Sequence, residues 1–131
     1  MGLAHARVKL INARLPELAP IEVDALADTG AIHLCIPEHV AVQLKLEESD
    51  RREVTLADGS RQLISYVGPI QISVANRMGF TGAMVLGDQV LLGAIPMEDM
   101  DLVVNPLTRQ VIPNPEYPNI AGSLAMGVRY R

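Results

Sequence analysis

Val23-Asp24-Ala25-Leu26-Ala27-Asp28-Thr29-Gly30-Ala31 runs from an apolar stretch into an aspartate and then a glycine. Val23, Ala25 and Ala27 alternate with Asp24, Leu26 and Asp28, which is the two-residue period of a strand. Such a strand delivers its last polar side chain, Asp28, to a surface or a cleft. A carboxylate in that place is costly to bury unless it is hydrogen-bonded or shares a proton. Taken alone, Asp28-Thr29-Gly30 also reads as a plain turn, because Asp and Gly are ordinary turn residues. Residues further along the chain decide between the two.

The 131 residues suit one domain with a real core. Hydrophobic residues are 49% but aromatics only 3%, with no Trp, so the core is aliphatic with Met as filler. A net charge of −4 and the lack of a basic stripe argue against nucleic acid as a partner. Arg51-Arg52 sits among Glu47, Glu48, Asp50 and Glu53 and reads as a solvated loop. Cys35 is the single cysteine, so no intrachain disulfide forms and a reducing cytoplasm is the expected location. Between Leu34 and Ile36 it reads as a small hydrophobe rather than a nucleophile. The first twenty residues lack a signal-peptide pattern. No stretch has the length of a membrane span. Ala6 stands where a myristoylation signal needs Ser or Thr.

Along the chain, His5 to Leu15 reads as a first strand, Pro16 to Pro20 as a loop, and Ile21 to Ala27 as the strand carrying the aspartate. Ile32 to Ile36 is a short apolar strand. Pro37 opens a helix with Val40, Ala41 and Leu44 on one side. Lys45 to Arg52 reads as a charged loop. Glu53 to Ile64 reads as a hairpin about Asp58-Gly59, the strongest two-residue turn signal. Tyr66 to Val74 is a further strand, Asn76 to Gly79 a turn, and Phe80 to Leu86 and Val90 to Leu92 more strands. Pro96, Glu98 and Asp99 suggest a short helix with its acids in the first turn. Leu102 to Val104 pairs with Gln110 to Ile112. Short strands, turns and two small helices indicate a mainly antiparallel β barrel or sandwich. Pro113, Pro115 and Pro118 close the domain, assigned to residues 1–118, with 119–131 as a tail.

The order of these motifs resembles the retropepsin-like aspartic proteases, and most closely their bacterial branch. The resemblance rests on Asp28-Thr29-Gly30-Ala31 at a strand end, the glycine-bearing hairpin Ala57-Asp58-Gly59-Ser60, and the later Leu91-Leu92-Gly93-Ala94-Ile95-Pro96. It implies a closed antiparallel β barrel with one or two short helices. It also implies an aspartic endopeptidase in which Asp28 is catalytic. Thr29 would turn its hydroxyl to the opposite subunit, and Gly30 would let the backbone pass close to its twin and to substrate. Ala57, Asp58 and Gly59 would belong to a flap closing on bound peptide. Ala31, Ile32, His33, Cys35 and Leu91 would lie against the substrate. Ile32 and Ala94 stand where many viral members carry an acid and an arginine, so that ion pair is replaced by packing.

The chemistry asks for two copies. Hydrolysis with neither metal nor covalent nucleophile needs a base for water and an acid for the carbonyl oxygen. Two carboxylates sharing one proton supply both. This chain has one Asp-Thr-Gly, so a homodimer contributing Asp28 twice is expected, acting on a peptide or protein without a cofactor. The segment Ile120 to Val128 is expected to pack on the partner or on its own barrel. His5, His33 and His39 have no metal-ligand spacing. Ser60 and Ser65 have no His–Asp pair nearby for serine catalysis. A non-catalytic peptide-binding scaffold of the same fold is the alternative. A phosphoryl-accepting Asp28 is disfavoured, because Lys9 and Lys45 are poorly placed for it.

Overall fold

Strand β1 (Ala4–Asn12) shows the pattern that builds the molecule: Ala4, Ala6, Val8 and Leu10 are buried while His5, Arg7 and Lys9 face outward. The computed structural model describes residues 3–125. β1 pairs antiparallel with β2 (Ile21–Ala27) over its first seven residues, and its far end pairs antiparallel with β5 (Arg61–Val74). That second pairing closes a barrel. From β5 the strands run through β6 (Arg77–Val85), β3 (Leu34–Ile36) and β7 (Leu91–Leu92) to β2 and β1. β4 (Glu47–Thr55) extends the sheet beyond β5. β8 (Leu102–Asn105) and β9 (Gln110–Pro113) form a hairpin beyond β1. The protein is thus mainly β, with a closed six-stranded barrel and two short helices, α1 (Glu38–Gln43) and α2 (Ala94–Asp99).

The barrel is mainly antiparallel, as read from the sequence, but not wholly so, as the resemblance implied. β3–β6 and β2–β7 are parallel. Parallel partners need long crossovers, and the chain between Leu26 and Leu91 supplies one. The interior is aliphatic: Leu10, Leu34, Ile36, Ile70, Ile72 and Leu92 are almost wholly removed from water. Each contributes about 1.5–3 kcal/mol on burial.

Several local expectations are corrected. Of the expected loop Lys45 to Arg52, Glu47 to Arg52 instead belongs to β4, most of whose side chains are exposed, while Lys45 and Leu46 lie in the turn before it. Over Glu47 to Arg51 both faces are in water, and an alternation of half-buried and exposed side chains begins only at Arg52. β5 is one continuous strand from Arg61, with an irregularity between Val67 and Ile70 rather than a break. The chain reverses at Ala75-Asn76, and Arg77 to Gly79 already belongs to β6. Pro37 stands just outside α1 in extended conformation (ψ 157°), not within it. Glu98 and Asp99 lie at the C-terminal end of α2, not in its first turn. α1 ends in a left-handed cap: Lys45 (φ 51°) donates to Val42 and Leu46 to Ala41. Buried Asn12 fastens this cap to β1, since its Nδ2 donates to the Leu44 carbonyl at 2.8 Å.

Beyond Pro113 the chain runs back over the barrel. Asn76 Nδ2 donates to the Pro118 carbonyl at 2.9 Å, and the Gly122 amide donates to Asp101 Oδ2 at 2.8 Å. Within the segment Ile120 to Val128, Ile120 and Leu124 are exposed, and the residues from Met126 lie outside the described residues.

Candidate active site

β2 stops at Ala27, but its backbone pairing continues one residue further. The Asp28 amide donates to the Leu92 carbonyl at 3.0 Å, as Leu26 does to Val90. This parallel partnership with β7 fixes where the strand delivers Asp28. The chain then turns: the Gly30 amide donates to Asp28 Oδ1 at 2.8 Å, and the Ala31 amide to the Asp28 carbonyl at 3.1 Å. A β-carbon on Gly30 would stand 3.0 Å from Asp28 Oδ1. Glycine there lets the amide approach the carboxylate and orient it. Asp28, Thr29 and Gly30 are exposed in the single chain. No cation pairs with Asp28 among the described residues.

The loop is held from below by the second motif. Ala94 and Ile95 donate their amides to the carbonyls of Ala31 and Ile32, each at 2.9 Å. Gly93 lies against the backbone of Ile32 and His33, where a β-carbon would stand 2.4 Å from the His33 oxygen. The first two amides of α2, which no helix can satisfy internally, are thus satisfied by the loop that carries Asp28.

Beside this loop a cleft of about 490 Å³ opens beneath the β4–β5 hairpin. The loop contributes Gly30, Ala31, Ile32 and His33, and β3 contributes Cys35. Leu91 and Met84 pair with Cys35 on either side and also line it. Burial pushes the Cys35 thiol above its ordinary pKa, consistent with a small hydrophobe. Burial, and secondarily the Arg52 guanidinium, lower the pKa of His33.

Of the hairpin residues named from sequence, Ala57 lines the cleft, whereas Asp58 and Gly59 lie at the tip, outside its lining. The turn is not a two-residue one. Gly59 donates to the Leu56 carbonyl at 2.9 Å and takes a left-handed conformation (φ 86°), leaving Ala57, Asp58 and Gly59 as a three-residue loop. Asp58 there accepts the Ser60 hydroxyl and amide, which hold its carboxyl below the usual range. Arg52, Val54 and Leu56 also line the cleft and were missed. Their every-other-residue spacing was the available signal, concealed by placing Arg52 in a loop.

Among the described residues no cluster of three or more His, Cys, Asp or Glu side chains is arranged to hold a metal ion. His5 lies on β1 and His39 on α1. No helix among these residues is long and apolar enough to cross a membrane. Comparison with protein-family models gives no match, and comparison with curated proteins gives none either.

Proposed function

We propose that the protein is an aspartic endopeptidase of the retropepsin-like, bacterial type, working as a homodimer with one Asp28 from each chain. The observation that carries this reading is the Asp28 loop. An exposed carboxylate with one oxygen oriented by Gly30 sits on a loop braced by Gly93, Ala94 and Ile95, next to a peptide-sized, largely apolar cleft. A single exposed carboxylate is an ordinary acid. Beside its twin it cannot ionise independently, and the pair holds one proton between them. The ionised member then takes a proton from water as the water attacks the peptide carbonyl. The protonated member donates to the carbonyl oxygen. The two apparent pKa values belong to the pair. The peptide lies extended, with backbone hydrogen bonds to the hairpin and aliphatic contacts along the cleft. Thr29 faces the partner subunit, and Ala57, Asp58 and Gly59 close from above.

The test is cleavage of a mixed peptide library by the full chain, with and without pepstatin, beside Asp28→Asn. Pepstatin-sensitive cleavage that falls at least about 10³-fold in a folded, dimeric Asp28→Asn supports the proposal. Unaltered cleavage by that variant removes Asp28 from the mechanism. A chain that stays monomeric by sedimentation while still cleaving removes the dimer.

A further inference from the structure

We propose that Arg52 is a specificity-determining residue of the cleft, selecting extended peptides that place a carboxylate beside it. This rests on the reading of the cleft as a peptide site, but not on Asp28 being catalytic.

Arg52 belongs to the same row of β4 as Val54, continued by Leu56 just past the strand's end, and like them it is half-buried at the cleft. Its guanidinium carbon lies 4.1 Å from the centre of the Tyr66 ring. Tyr66 is itself wedged in place. Its ring occupies the room that a side chain at position 82 would need, a β-carbon on Gly82 standing 2.2 Å from Tyr66 Cζ. On another side the ring meets His33 edge-on, with centroids 6.1 Å apart. The cationic head is therefore placed before any ligand arrives, which lowers the ordering cost of binding.

The contact with the Tyr66 ring uses none of the guanidinium N–H groups as a conventional hydrogen-bond donor. Among the described residues the Arg52 side chain makes no hydrogen bond. Its ion-pair contact is Asp50 at 3.7 Å, with the Asp50 side chain 65% exposed, which is a weak surface pair. The other charged groups at the cleft do not compensate it. Glu53 pairs with Arg61 at 3.4 Å. His33, its pKa held down, is neutral at neutral pH. Arg52 is thus the only cation at neutral pH among the residues lining the cleft. Val54, Leu56, Met84 and Leu91, which line the same cleft, are apolar. A guanidinium in such surroundings takes a carboxylate by paired charge-assisted hydrogen bonds. The chain's overall charge of −4 repels acidic peptides at long range, but salt screens that beyond about 8 Å. Recognition is then local to Arg52. The carboxylate comes either from an Asp or Glu side chain or from the peptide's own C-terminus.

The experiment uses the full chain carrying Asp28→Asn, so that peptides are retained rather than cut, alongside the wild type. The probes are aliphatic octapeptides with one position scanned as Glu, Gln or Lys, capped at both ends, and a parallel set with a free C-terminal carboxylate. Retained peptides are sequenced and their affinities measured. A Glu-over-Gln preference of roughly tenfold at one position is expected. It collapses in Arg52→Gln and turns toward Lys in Arg52→Glu. Preference for the free acid in place of internal Glu assigns the C-terminal source. Arg52→Lys, which keeps the charge but loses the planar fork, gives an intermediate preference. Equal retention of Glu and Gln peptides together with no preference for the free C-terminal acid, or a preference unchanged in Arg52→Gln, overturns the inference. Arg52-dependent retention with no wild-type cleavage of the same peptides overturns the protease and leaves this inference standing.

Discussion

The carbonyl oxygen of His33 lies where a β-carbon on Gly93 would have to be, 2.4 Å from the built position, with Ile32 backbone atoms at 2.7 and 2.8 Å. All three obstacles are backbone, so no side chain can swing aside. Gly93→Ala must push the loop that carries Asp28 away from α2, stretching the Ala94–Ala31 and Ile95–Ile32 hydrogen bonds. The expected loss is about 2–3 kcal/mol, read from urea midpoints. Gly87 is the control. It has positive φ (82°) but open space around it, so Gly87→Ala costs only about 1 kcal/mol of backbone strain. Equal losses at the two positions would show that the contact with His33 is not what matters.

Ala75 holds a left-handed conformation (φ 52°) at the β5–β6 reversal, next to the Val74–Arg77 pair. An L-residue with a β-carbon is strained there by about 1–2 kcal/mol. Glycine removes the strain but adds about 0.4–1 kcal/mol of unfolded-state entropy. Ala75→Gly is therefore expected to gain about 0.5–1 kcal/mol, a rise of a few degrees in the thermal midpoint for a chain of this size. Differential scanning calorimetry reads it directly, and a fall in midpoint would reject it.

His33 titrates below its ordinary 6.5, chiefly from burial and secondarily from Arg52. The direction fixes the sign of a pH effect. Between the lowered value and 6.5 the unfolded chain binds more protons than the folded one, so stability rises with pH there. The contribution is complete above 6.5 and disappears as pH falls through the folded value. In Arg52→Gln, NMR titration should show the His33 pKa moving up but remaining below 6.5, because burial persists. No movement would mean that Arg52 does not act on the ring.

How legible the chain was depended on which faces were wet. Ile21 to Ala27 could be bounded from sequence because one face is buried and the run ends at Asp28. β8 and β9 were legible for the same reason. The first half of β4 was not, because exposed Glu47, Glu48, Asp50 and Arg51 carry no alternation to read, and the alternation that begins at Arg52 was picked up only from Glu53. That error hid Arg52 from the site. The two parallel seams were equally invisible, because pairing partners far apart in sequence leave no local trace. Gly30, Ala31, Ile32, His33, Cys35, Ala57 and Leu91 do gather at one cleft. Asp28, Thr29, Asp58 and Gly59 fall outside its lining, the first two on the loop that enters it at Gly30 and the last two at the hairpin tip.

The chain after Pro113 offers a test with a pH signature. Asp101 follows α2 in a left-handed conformation (φ 52°) and accepts the Gly122 amide at 2.8 Å and Asn114 Nδ2 at 3.1 Å. These bonds, the Gly122 one first, hold its carboxyl below the ordinary Asp value of 3.8. Asparagine tolerates the same backbone conformation, so Asp101→Asn removes the charge and an acceptor without adding strain. The stabilisation from a depressed carboxylate is present above the unfolded value and lost as pH falls through the folded one. Asp101→Asn should therefore melt below wild type at pH 7, and the gap should close as pH falls below about 3.9. Ending the chain at Pro113 is a larger change. It removes Asn114 and Gly122 from Asp101 and the Tyr117 carbonyl from Arg77. Arg77 is buried, and its Nε and Nη1 have no hydrogen-bond partner among the described residues. Leaving its last donor unmatched should cost about 1–3 kcal/mol. Adding Arg77→Met to the shortened chain should recover part of that loss, because an apolar side chain needs no acceptor. A shortened chain as stable as the full one at pH 7 would show that the segment merely lies on the barrel without holding to it.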